Sequence, residues 1–428
     1  MSARVIKHQV DVCLGKAARP IGRLTYVKDG GREYSAFVYD EAWLTDSVRF
    51  EVSPDLPLIP GHLTRRARTK DDSCFHLAIT DTEPDAWGCR VIARAHAKER
   101  KTNPTLPALT AFDYLSAVDD FSRMGALRLR DSGGEFLRTA EQGMPATAPL
   151  IELQHMYDAS RAVELGQETA KDLRYLQGKG TSLGGMRPKC TVLEEDGSLA
   201  LGKFPSVKDT RDVIRAEVLA LRLAQRAGID TAQARIVLIG ETPVASIRRF
   251  DRTADHARIP YLSAASMLQS TRNEERAYTE VADIIRAKCA RPTEEARQLW
   301  RRLVFNLLIT NVDDHLQNLG FLHVDRGMWR LAPMFDVNPF PDKDRESKTW
   351  LSENLGPITS LNMLMQHADY FSLPPSAALE ALAAVYSAVC TWRTVAVSSE
   401  VGLLDAELDE FAPAFEHPEM DAARGLLA

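Results

Sequence analysis

The sequence predicts an α+β chain of two lobes, β-rich in its N-terminal part and α-rich in its C-terminal part. Three observations carry that reading. Short apolar runs separated by turn residues fill the first hundred positions. A glycine-rich stretch near residue 180 then introduces a hairpin, a helix and a second strand pair. From residue 276 onward, apolar residues recur mainly at helical spacing. The bulk composition agrees: 428 residues, 45% hydrophobic and 26% charged, with Gly 24 and Pro 22. That share of apolar residues excludes a disordered or collagen-like chain and is enough to bury a full core.

In order along the chain, VDVCL and IGRLTYV read as strands. The turn Lys28-Asp29-Gly30-Gly31 joins the second to a third, YSAFVYD. A helix begins at Asp85, with Ala86, Trp87, Val91, Ile92 and Ala95 on its apolar face, and Phe112 to Val118 forms another. Gly143 to Pro149, with one Gly and two Pro in seven residues, reads as a linker, and Leu150 to Leu176 as one long helix. Strands at 190–193 and 198–204 flank the hairpin turn Asp196-Gly197. A helix over 212–227 stops at Gly228, and strands at 235–239 and 244–250 flank Gly240-Glu241. Helices are expected at 276–290, 294–310 and 376–395. The expected divisions are a β-rich subdomain at 1–110, the rest of a small lobe at 111–255, and an α-helical lobe at 256–428.

The six cysteines stand singly, without CxxC or a histidine cluster, which argues against a zinc site or a disulfide framework. The first twenty residues contain no apolar signal core. The longest uncharged helical stretch, Ala381 to Trp392, is too short for a bilayer, so a cytoplasmic, membrane-free protein is expected. Net charge is −6 but unevenly spread: residues 350–428 carry 11 acidic and 2 basic side chains, while the rest is close to balanced. An acidic segment is repelled by nucleic-acid phosphate and attracted to a basic protein, unless it is simply a solvated face.

Four groups of residues could do chemistry. The stretch from Gln177 to Lys189 holds four glycines between Gly178 and Gly185, and unobstructed backbone N–H groups can cradle phosphate oxygens. Read alone, it is equally a surface turn. Lys203 shares a strand face with Leu199 and Leu201, so a cation ends an apolar row. Glu217 falls within the apolar stripe of the following helix, where a carboxylate is costly without a partner. A strand lysine paired with a helix glutamate is how a kinase small lobe holds α- and β-phosphates, although both side chains could instead reach solvent. The most informative stretch is Thr310-Asn311-Val312-Asp313-Asp314-His315-Leu316-Gln317-Asn318, directly behind an apolar helix. Asp313 and Asn318 are spaced like the base and the metal ligand of the kinase catalytic loop. A hairpin then delivers Phe335-Asp336, where a second carboxylate can hold Mg2+. A polar helix cap followed by an ordinary hairpin is the plain alternative.

Taken together, these residues resemble the HipA family of bacterial toxin kinases from type II toxin-antitoxin systems. The resemblance rests on Asp81-Thr82-Glu83-Pro84-Asp85-Ala86-Trp87-Gly88, Ser182-Leu183-Gly184-Gly185-Met186-Arg187-Pro188-Lys189, Lys203-Phe204-Pro205, Arg249-Phe250-Asp251-Arg252, Asp313-x-His315-x-x-Asn318 and Pro333-Met334-Phe335-Asp336. It implies a two-lobed protein-kinase-like fold and a Ser/Thr protein kinase that uses ATP and Mg2+. Asp313 would be the catalytic base, assisted by Lys203 on the phosphates, and Asn318 and Asp336 the metal ligands. Ser182 and Gly184 to Lys189 (Gly184, Gly185, Met186, Arg187, Pro188 and Lys189) would line the ATP loop. Arg248, Arg249 and Phe250 would form the hinge, and His315 and Phe335 would complete the nucleotide site.

The resemblance further implies autophosphorylation of Ser182, whose added charge beside the ATP phosphates would expel the loop. It also implies an aminoacyl-tRNA synthetase as target, a helix-turn-helix antitoxin of the HipB type as partner, and DNA contact only through that antitoxin. The sequence departs from the family in having Arg248 where a glutamate is usual, and in lacking a lysine cluster after the metal aspartate. Two other readings stay open: a kinase-like co-repressor, and a metal-dependent phosphohydrolase built on Asp313, Asp314, His315 and Asp336.

Overall fold

The computed structural model describes residues 5–69, 72–138, 148–149, 152–177, 185–271 and 274–428. The chain is α+β and divides into two compact units. One comprises Met1–Val207, Asp251–Leu262 and Asp325–Gly327; the other comprises Lys208–Phe250, Ser263–Val324 and Met328–Ala428.

The first unit starts with a five-stranded sheet. Its strands run in the spatial order Leu63–Arg66, Arg32–Tyr39, Arg19–Asp29, Ile6–Leu14 and Leu127–Arg130, with antiparallel neighbours. The turn read at residues 28–31 closes on the pair Asp29–Arg32, with Gly30 at φ 58, a left-handed conformation that glycine adopts without steric cost. Inward residues Leu24, Tyr26 and Phe37 are fully buried, as the period of two requires.

Helix Ala86–Thr102 follows, its first turn closed by Asp85, whose carboxylate accepts from Gly88 N at 2.7 Å. Trp87 and Val91 pack with Ala159, Val163, Leu173 and Leu176. These partners come from two helices, Leu153–Leu165 and Ala170–Leu176, and not from the single helix expected over 150–176. Gly166 ends the first at φ 73, and Thr169 restarts the second through a capping box with Asp172. Both signals were legible, but the apolar periodicity on either side of them masked the break. Of the expected linker, residues 143–147 lie outside the described residues; Ala148–Pro149 is a short strand parallel to Val192–Leu193. The next hairpin pairs Lys189–Leu193 with Leu199–Lys203 across Gly197 at φ 81.

A buried guanidinium organises the rest of this unit. Arg123, fully buried, donates to the carbonyls of Thr82, Leu115 and Val118 at 2.9–3.2 Å. Asp251 accepts from Gly125 N at 2.7 Å, and Arg252 donates to Asp251, to Gly125 O and to Arg123 O. The Asp251-Arg252 half of the Arg249-Phe250-Asp251-Arg252 motif therefore fixes a turn by hydrogen bonds to charged groups, which are stronger than neutral ones.

In the second unit, helix Val213–Arg226 is capped by Asp212 and stopped by Gly228 at φ 72, as expected. The hairpin Ala234–Ile239 with Thr242–Arg248 follows. Helix Pro292–Leu308 packs against both Tyr278–Lys288 and Pro375–Cys390, and its Leu299, Trp300 and Leu303 are buried, as is Leu382 of the last. The helix expected over 376–395 is two, Pro375–Cys390 and Trp392–Ala396. Thr391 departs from helical geometry between them. Among the described residues the cysteines are free thiols, and no helix is long and apolar enough to cross a membrane.

Candidate active site

Helix Pro292–Leu308 terminates in a strained step that starts the polar loop. Thr310 adopts φ 54, a costly value for a β-branched residue, and is held there by its hydroxyl on Ala414 O at 3.0 Å and by Phe340 N on its carbonyl. The loop then turns through the 3-10 segment Leu316–Asn318 into the hairpin Gly320–Asp325 with Met328–Leu331.

Three polar residues of the loop have distinct surroundings. Asp313 is about 40% exposed at its side chain and forms an ion pair with Lys348; His315 Nε2 lies 3.9 Å from the same carboxylate oxygen. Asn318 Nδ2 donates to the backbone carbonyl of Asp313 at 2.8 Å, so the two ends of the five-residue interval are tied together. With its amide nitrogen so occupied, Asn318 presents Oδ1, a hard oxygen acceptor. Asp314 is buried and structural: it accepts from Tyr278 Oη at 2.8 Å and Lys348 N at 2.7 Å, while its carbonyl accepts from Thr349 Oγ1 at 2.8 Å.

Burial pushes the Asp314 carboxyl up to about 6 against the hydrogen bonds that hold its charged form. The folded state therefore holds this proton more tightly than the unfolded chain does. Its stabilising contribution is complete below about pH 4 and is withdrawn as pH rises through about 6. Replacing Asp314 by Ala strands Lys348 N and should cost about 1–3 kcal/mol at neutral pH, read as a lower urea midpoint. The Asp314→Asn protein should lose the decline in stability between about pH 4 and 6.

The second carboxylate comes from the segment after the hairpin. Arg302 Nη2 donates to Ala332 O at 2.8 Å, and Met334 N and O bond to Asp230 O and Ala232 N. Held by these, Asp336 sits at φ 54, half-buried. Asp is one of the few non-glycine residues that tolerates this region. Asp336, Asn318, His315, Asn311 and Arg302 line one cavity of this unit, into which Asp314 also reaches. His315 Nδ1 is buried without a hydrogen-bond partner among the described residues, and burial holds its ring below the usual histidine range.

A hard divalent ion needs a few oxygen ligands and accepts water for the rest. Asn318 Oδ1 and the Asp336 carboxylate on one cavity fit that requirement. The four-residue set required by a phosphohydrolase does not form. Asp314 is committed to Tyr278 and Lys348, and among the described residues no cluster of three or more His, Cys, Asp or Glu is placed to share an ion.

Phe250 and Phe335, which the sequence placed in separate motifs, have ring centroids 5.2 Å apart. Arg248 ends its strand exposed, Arg249 is buried, and Glu217 is buried in helix Val213–Arg226. The remaining candidates belong to the first unit. Gly185 and Met186 are exposed, Arg187 is half-buried, Pro188 and Lys189 are buried, and Lys203 is buried at the end of its strand. Ser182 and Gly184 lie outside the described residues. Sequence reasoning missed Lys348, which has no motif around it, and Tyr278, whose helix register was the only signal.

Residues 181–392 match the model of the HipA-like C-terminal domain. That part of the chain is a HipA-like C-terminal domain. A relative from Sinorhizobium fredii, "Putative kinase Y4mE", is 23% identical over 356 residues, 74% of each chain. A "Putative kinase" of Haemophilus influenzae is 24% identical over 188 residues, 38% of this chain and 55% of that one. Among solved structures, HipA of Shewanella oneidensis, determined with HipB and its operator DNA, superposes with a TM-score of 0.67 at 16% identity. The match covers 97% of this chain and 96% of that one. At that identity the likeness shows the fold of this chain and nothing more.

Proposed function

We propose that this chain is an ATP- and Mg2+-dependent Ser/Thr protein kinase. The observation that carries the proposal is the hydrogen bond from Asn318 to the Asp313 carbonyl: the candidate base is tied to one hard oxygen ligand, and that ligand lines one cavity with Asp336. Asp313, reachable from solvent, accepts the proton of an attacking hydroxyl. Asn318 and Asp336 hold the metal, which supplies neutralisation of phosphate charge when bound. Lys203 meets the α- and β-phosphates, and residues 184–188 face the nucleotide. Arg248 to Phe250, with Phe335, border the adenine.

Little covalent work falls to the protein in phosphoryl transfer, so positioning and electrostatics account for the rate. Ser182 is the proposed autophosphorylation site. A protein hydroxyl, on an aminoacyl-tRNA synthetase by family resemblance, is the proposed target. The 11 acidic and 2 basic residues of 350–428 suit a basic protein partner, for which a helix-turn-helix antitoxin of the HipB type is proposed, with DNA reached through it.

Because a ligand that binds only the folded state raises stability with its concentration, Mg-ATP should raise the melting temperature of the unphosphorylated protein, and ATP with a chelator should raise it less. Absence of any shift in unphosphorylated protein would favour a binding module without nucleotide chemistry.

A further inference from the structure

Lys189 was expected to face ATP, yet its surroundings give it a different task. Its Nζ lies 3.1 Å from Asp85 Oδ2, with side chains 2% and 1% exposed. The same aspartate, through Oδ1, closes the first turn of helix Ala86–Thr102, and Trp87 N of that turn donates to Gly185 O at 3.3 Å. One helix start therefore grips the segment 185–189 at both ends. Lys189 is also the direct cross-strand partner of Lys203 in the antiparallel ladder, and both are buried. Residues directly opposite in a ladder project to the same face, roughly 5 Å apart, where like charges repel. The Asp85 carboxylate supplies a compensating charge.

We infer that Asp85 and Lys189 form a positioning pair, by which the N-terminal β-rich subdomain sets the nucleotide loop and the ammonium of Lys203. Lys189 acts through Asp85 and does not touch phosphate. This inference rests on the kinase reading above and adds to it a route from the first hundred residues to the nucleotide.

The decisive property is coupling. Removing one partner of a buried pair changes the net charge of the site, whereas removing both takes out one positive and one negative charge together and leaves the net charge as it was. Asp85→Asn, in which asparagine still caps the helix, and Lys189→Met should each weaken Mg-ATP binding about tenfold or more. The Asp85→Asn/Lys189→Met double variant should return to within about threefold of wild type. Titration calorimetry with Mg-ATP gives these affinities, and melting temperatures without nucleotide confirm that each variant is folded. The effect should fall on KM for ATP more than on kcat.

If Lys189 instead contacts phosphate, Asp85→Asn frees it and tightens binding while the double variant stays as weak as Lys189→Met. Either result overturns the inference, as do additive losses or single variants that bind normally. Wild-type protein that fails to bind Mg-ATP removes the kinase reading and this one together. Wild type that binds, beside folded variants that do not differ from it, removes this inference alone.

Discussion

Asp313→Ala should lower kcat by on the order of 10^2 to 10^4, the usual contribution of a positioned general base, while KM for ATP changes little. The separation of these effects follows from the local geometry. Asn318 is bonded to the backbone carbonyl of residue 313, not to its side chain, so alanine leaves the loop tied as before. What the carboxylate does contribute structurally is a partly exposed pair with Lys348, and exposed pairs are worth about 0–1 kcal/mol. The variant should therefore melt near the wild-type temperature and still bind Mg-ATP. Near-normal kcat would remove Asp313 from the proton transfer.

Asp336 should be as sensitive, for a different reason. Replacing it by Asn should reduce phosphoryl transfer by on the order of 10^2 to 10^3 and lose most of the Mg2+-dependent part of ATP binding, because a neutral amide takes the place of the charged member of the proposed ligand pair. Asparagine is the informative substitution, since it tolerates the left-handed backbone that residue 336 adopts at φ 54. Alanine there adds backbone strain of about 1 kcal/mol or more, mixing a folding cost with the loss of a ligand. A difference in melting temperature between Asp336→Ala and Asp336→Asn, with equal loss of activity, is the expected pattern.

Much of this could be read along the chain, and the reasons for the exceptions are physical. Hairpins were legible wherever a two-residue turn needed glycine, as at Gly30, Gly197 and Gly240, because positive φ leaves a mark in the sequence. Helix ends were legible where a cap and a stop coincided, as at Asp212 and Gly228. They were lost where apolar spacing ran through a break, as at Gly166 to Thr169 and at Thr391. In the candidate site, the Asp313 to Asn318 interval could be recognised because both residues lie in one short loop. The different fates of neighbouring Asp313 and Asp314 could not, because they depend on Tyr278 and Thr349, which are 36 and 35 residues from Asp314. The same limit applies to Lys189: its cross-strand partner could be inferred from the hairpin, but its ion pair with Asp85 spans 104 positions.

Transfer of label from the γ-phosphate of ATP tests the central claim most directly. Purified wild-type protein, dephosphorylated beforehand and supplied with Mg2+, should place label on serine or threonine of itself or of a protein substrate, and the Asp336→Asn protein should not. Equal incorporation by both proteins would contradict the account, as would release of inorganic phosphate by wild type without any transfer to protein.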